Sequence, residues 1–282
     1  MELSFYDKQS DAEPVLYERT ALDSQLWVQE KYTKWGLKAR EWLLRLLDET
    51  PGERNIEILD ELFYYLCHQL TLFDVSYLAF PHLVHVFEQV LKEEDFIYTQ
   101  YLFSHMGVML AADSFGTNAM AKPVLENYQA SIRQFQRLAK QFLDRYQEQI
   151  RQAQEDIYFD RGWFSAAVLA TLGDQELAFI LITSNWEPGE MSCSACGYYY
   201  EELFTCKERA AAVAPAVSVI GGWDGRSYQN TWLWFANFLH GMGMEKQLRL
   251  LSHYYETYTC PQCGQTSLLV DWMKCFQQEE NK

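Results

Sequence analysis

Two short runs, Cys193-Ser194-Ala195-Cys196-Gly197 and Cys260-Pro261-Gln262-Cys263-Gly264, constrain this chain more than any other feature. Two residues between cysteines let one tight turn aim both sulfurs at a single point. The glycine that follows can take a positive φ, which turns backbone amides toward the sulfurs. Two such turns supply four thiolates, the donor set of a closed tetrahedral zinc site with no position open to water. Aromatic and β-branched residues flank both turns (Tyr198, Tyr199 and Tyr200; Tyr258 and Thr259; Leu268, Leu269 and Val270). Each turn is therefore expected to cap a small hairpin. The long stretch between Cys196 and Cys260 must leave the site and return. A zinc ion would staple its ends, so that binding energy becomes folding energy.

Seven cysteines follow a start, MELSFYDKQSDAEP, that has neither a basic nor an apolar leader segment. That combination predicts a cytoplasmic protein with reduced thiols rather than a disulfide framework. Four ligands leave Cys67, Cys206 and Cys275 as bystanders, although Cys206 or Cys275 can still replace one of the four. A redox reading wants one CxxC at a helix start after a strand, and here each pair leads into glycine and hairpin-like sequence. Tetrahedral sulfur suits iron as well as zinc, with zinc the preferred ion. The net charge of −16 repels phosphate, which argues against nucleic acid and anionic membrane as partners. It steers in a basic protein partner, or simply keeps the chain soluble. No apolar run approaches the length of a membrane span. The oligomeric state is left open.

The rest of the sequence is mainly α. Residues 1–22 lack periodicity and read as an irregular arm. Residues 23–186 read as helices joined by short breaks, and 187–282 as a zinc-stapled, partly helical C-terminal subdomain with a soft boundary at Glu187-Pro188-Gly189. An apolar stripe at Trp42, Leu43, Leu46 and Leu47 stops at Pro51-Gly52. Ile56, Leu59, Leu62, Phe63, Leu66 and Leu70 predict a second helix, and Val75 to Leu91 a third that must kink or start at Pro81. Further helices are expected over 95–112, 124–154, 162–172 and 175–184, the last two parted by a Gly173 C-terminal stop and an Asp174 cap. Beyond the first CxxC, helices are expected near 208–218, 228–242 and 245–256. Helix, turn, helix with one apolar stripe each fits a helical solenoid or an irregular helical bundle.

His82, His85 and His105 are the acid/base candidates, and an enzyme would gather them in a pocket between the helical and zinc parts. His82 lies in an apolar stripe, so a core histidine bonded to backbone is the preferred reading. Trp223, Trp232 and Trp234, with Tyr228 and Phe235, are core at helical spacing in preference to a binding platform. No HExxH, GxSxG or phosphate-loop pattern is present.

Leu62-Phe63-Tyr64-Tyr65-Leu66-Cys67-His68-Gln69 followed by Val75-Ser76-Tyr77-Leu78-Ala79-Phe80-Pro81-His82-Leu83-Val84 resembles a helix pair of bacterial HEAT-like repeat proteins. In those proteins a histidine-glutamine turn leads into a helix with an internal proline. The run from Ser165 to Asp174 is similar to another such repeat, and the family pattern continues into a C-terminal CxxCG pair. This resemblance implies a HEAT-like scaffold. Because some of those proteins sit beside secreted bacterial toxins, it also implies a non-enzymatic, immunity-type role: binding a protein partner. The knuckles CxxCGY and CPxCG also resemble those of rubredoxin, which implies an iron electron carrier as an alternative.

Overall fold

Turn residues and caps set the ends of most elements in the computed structural model, which describes residues 14–29, 33–50, 52–113, 120–154, 158–183, 190–201, 228–255 and 257–280. The fold is mainly helical. A 3-10 turn over Gln25–Val28 is followed by α1 (Thr33–Asp48), α2 (Ile56–Leu66), α3 (Ser76–Glu93), α4 (Phe96–Asp113), α5 (Lys122–Arg145), α6 (Gln147–Gln152), α7 (Arg161–Thr171) and α8 (Gln175–Thr183). The C-terminal part holds α9 (Tyr228–Gly241), α10 (Glu245–Tyr254) and α11 (Leu269–Glu280). Three antiparallel two-stranded hairpins interrupt the helices: β1 (Cys67–His68) with β2 (Thr71–Leu72), β3 (Glu190–Ser192) with β4 (Tyr199–Glu201), and β5 (Thr257–Thr259) with β6 (Thr266–Leu268).

Helix α4 is buried along almost its whole length, from Tyr98 to Ala112, as a helix apolar on every side must be. It packs on α2, α3, α7 and α8, so its contacts reach past its neighbours in sequence. Helix α5 buries one stripe, Tyr128, Ile132, Phe135, Ala139 and Phe142, against α3. The stripe meets Phe80 and Phe87 edge-on at 5.8 and 5.3 Å, the arrangement that brings a ring's positive edge to its neighbour's negative face. Phe103 and Phe164 extend the same aromatic layer from α4 and α7. One cluster of buried residues runs from Trp27 to Met273 and includes Cys193 and Cys260. No helix among the described residues is long and apolar enough to cross a membrane.

The cap at Asp174 is present, its carboxylate accepting from the Leu177 amide at 3.2 Å, and Gly173 takes φ +93°. Several expectations need correction. The second helix stops at Leu66 rather than Leu70. Its last carbonyl is taken by the Phe73 amide at 2.9 Å and the Ser76 hydroxyl at 2.5 Å, which favours the β1–β2 hairpin over another turn of helix. Leu70 still touches the core, from the hairpin turn, which explains why it matched the helical stripe. Helix α3 begins at Ser76 and runs through Pro81. The segment expected to be one helix over 124–154 breaks at Tyr146 (φ −109°) into α5 and α6. Helix α11 was not expected at all, because Leu268 to Val270 read as strand; β6 ends at Leu268 and the helix starts at once. The expected helix at 208–218, Cys206, Trp223 and the boundary at 187 lie outside the described residues.

Within the irregular arm, residues 14–22 form neither helix nor strand but are tied to α5. The Val15 amide donates to Gln134 Oε1 at 3.2 Å, and Glu18 exchanges two bonds with Asn127. His82 Nε2 lies 2.8 Å from the Thr20 carbonyl. A carbonyl only accepts, so Nε2 carries the proton, and Nδ1 is buried without a partner. Burial pulls this histidine down to about 4. Unfolded, it titrates near 6.5, so between pH 6.5 and 4 the unfolded chain binds more protons. The contribution of His82 is thus complete above about pH 6.5 and lost as pH falls toward 4. Urea titrations should show His82→Gln losing less stability than the parent between pH 7 and 4.5. Equal losses would exclude His82 as a source.

Candidate metal centre

Each CxxC closes on itself in the same way. The Cys193 amide donates to the Tyr198 carbonyl at 3.0 Å and the Gly197 amide to the Cys193 carbonyl at 2.8 Å. In the second turn the matching bonds are Cys260 to Gln265 at 2.7 Å and Gly264 to Cys260 at 2.9 Å. Gly197 and Gly264 take φ +69° and +75°, the left-handed conformation that a side chain would disfavour. The hairpins β3–β4 and β5–β6 thus present two equivalent knuckles, as the flanking residues predicted. Helix α11 packs on β3, and Lys274 on it reaches Asp174 and Glu176 at 3.6 and 3.5 Å, so the knuckles are anchored to the helical part.

All four sulfurs lie within 4.8 Å of one another. Cys193 Sγ and Cys263 Sγ are 3.7 Å apart, as are Cys196 Sγ and Cys260 Sγ. That is far beyond a disulfide bond and close to the edge, about 3.8 Å, of a tetrahedron with metal–sulfur bonds of about 2.3 Å. Each knuckle contributes one buried sulfur residue, Cys193 or Cys260, and one exposed, Cys196 or Cys263. The thiols hold their protons unequally. Cys260 is drawn down to about 7: burial opposes this, but the Cys263 and Gln262 amides and the adjacent thiols outweigh it. Cys196 is pushed up to about 12, the Tyr198 amide opposing and burial and the other sulfurs prevailing. One negative sulfur suppresses the next, and a cation is what lets all four ionise. The donor set and its spacing therefore fit one metal ion. Cys275 is half-buried and outside the cluster, and Cys67 sits in the β1–β2 hairpin with its thiol pushed up to about 12 by burial.

The three candidate histidines take different positions. His82 holds the N-terminal arm, and His85 pairs with Gln89 at 3.1 Å on the surface of α3. His105 alone of the three lines a cleft of about 1010 Å³ formed by α2, the β1–β2 hairpin, α4, α7 and α8. His68, from the turn noted in the sequence, lines it too. Asp60, Glu61, Tyr64 and Trp163 complete a lining that the sequence reading missed, because it is assembled from elements distant in the chain. Of the aromatic cluster, Trp234 and Phe235 are buried in α9 as core residues. Comparison with protein-family models, with characterised proteins and with solved structures yields no match.

Proposed function

We propose that the chain is a non-enzymatic, protein-binding scaffold of HEAT-like helices, stapled at its C-terminal part by one structural zinc on Cys193, Cys196, Cys260 and Cys263. In this reading it binds a basic protein in the manner of an immunity protein. The observation that carries it is the cleft. Its lining includes two carboxylates, no lysine or arginine and several aromatic side chains, and of the three candidate acid/base histidines only His105 reaches it, beside His68. A concavity that carries carboxylates and aromatic rings but no cation suits a basic protein partner. The chain's own pairing of α1 with α2 and of α7 with α8 supports the repeat-like reading. The net charge of −16 would raise the association rate of a basic partner.

Purified without added metal, the protein is expected to be colourless with one zinc per chain. Its captured partners should be basic, with association slowing as salt rises. A red, iron-bearing protein would place electron transfer first. Acidic partners with salt-independent rates would contradict the electrostatic reading.

A further inference from the structure

The charged side chains of the cleft, Asp60 and Glu61, are both acceptors. Asp60 Oδ1 receives the Tyr101 hydroxyl at 3.0 Å, and neither Asp60 nor Glu61 has an ion pair among the described residues. His105 Nδ1 lies 3.0 Å from the Tyr101 carbonyl, so Nδ1 carries the proton and Nε2 is left as a lone-pair acceptor. Burial holds this ring neutral by lowering its pKa to about 4. Aromatic rings pack on His105. Phe63 stacks on His105 at 4.6 Å and Trp163 meets it edge-on at 5.3 Å. Tyr64, 49% exposed, also lines the cleft.

Acceptors among aromatic faces call for a planar cation rich in donors. A guanidinium offers five N–H groups, binds carboxylates in pairs, stacks on aromatic rings and sheds water more readily than an ammonium. At the rim, Gln69 and Leu70 are held at φ +49° and +57°. They are the two central residues of the β1–β2 turn, whose hairpin geometry itself requires positive φ. The volume, about 1010 Å³, lies at the upper limit for small-molecule sites and leaves room for a segment of chain.

The geometry points to an arginine side chain of a basic protein partner as the occupant of this cleft, its guanidinium taken by the Asp60 and Glu61 carboxylates and covered by Tyr64 and Trp163. This rests on the scaffold reading and names the chemistry that reading left open.

Calorimetric titration of the full chain with acetyl-Gly-Arg-Gly-amide, its lysine and citrulline counterparts, and free arginine tests it. The arginine peptide is expected to saturate one site, with lysine weaker and citrulline at least about tenfold weaker. Glu61→Gln and Asp60→Asn keep a hydrogen-bonding side chain at each position, and each should weaken the arginine peptide about tenfold at unchanged melting temperature. Trp163→Leu provides a second variant, expected to weaken the arginine peptide likewise. Equal binding of citrulline, or full affinity in folded Glu61→Gln, overturns the inference. No binding at millimolar peptide also overturns it but leaves the scaffold reading standing, since another face can carry a partner. Free arginine binding as tightly as the peptide, or a new product mass after incubation, overturns both.

Discussion

Replacing Cys193 or Cys260 with serine is expected to abolish stoichiometric metal retention and lower the melting temperature by about 10 °C or more. Both residues are 1% exposed and sit inside the continuous core, so in the proposed site the substitution would remove a ligand and leave a hydroxyl in place of the sulfur. Structural zinc contributes about 10 to 16 kcal/mol of apparent binding energy in small zinc modules. Here the helices keep a core of their own, so only part of that energy stabilises the whole chain. Even about 5 kcal/mol corresponds to a shift of about 10 °C or more for a protein of this size. Cys196→Ser and Cys263→Ser should also lose the metal, with a smaller packing cost because they are exposed. Cys275→Ser, outside the cluster, should change neither quantity. Elemental analysis with calorimetric melting checks all five. A Cys193→Ser protein that retains one metal per chain and melts with the parent would refute the shared site.

Gly107→Ala is expected to destabilise the fold by about 3 kcal/mol, measured by urea unfolding. Helix propensity alone favours alanine by about 1 kcal/mol, so the sign depends on packing. A methyl on Gly107 would lie 2.2 Å from Ala167 Cβ and 2.4 Å from Ala167 Cα. The second distance involves backbone, which cannot rotate aside, so α4 and α7 would have to separate. That movement would loosen Phe103 against Phe164, whose rings are 5.3 Å apart. Adding Ala167→Gly removes one obstacle but not the other, so it should restore little. A neutral or stabilised Gly107→Ala would mean that the two helices are not held this closely.

Gly107 also shows where sequence reading stops. Within a run of apolar residues it gives no sign of its role, because its reason lies on another helix, separated from it in the chain by α5 and α6. The same holds for the cleft. Asp60 and Glu61 fall on the exposed side of α2, and only the placement of α4, α7 and α8 turns them toward Trp163 and His105. Helix α11 was hidden because it starts where strand-like residues end, leaving no turn residue to announce it.

What the sequence determined by itself is local in its physics. The helix cap at Asp174, the positive-φ glycines at 173, 197 and 264, and the stripe on α5 all follow from interactions within a few residues. So do the two knuckles, since the spacing of each CxxC suffices to aim its two sulfurs. Only the tertiary structure decided that the knuckles meet, with Cys193 beside Cys263 and Cys196 beside Cys260 across the long intervening stretch. It also decided that His82 holds an arm while His105 faces a cleft. Contacts between distant segments depend on how whole helices share one buried core, and no short window of sequence carries that information.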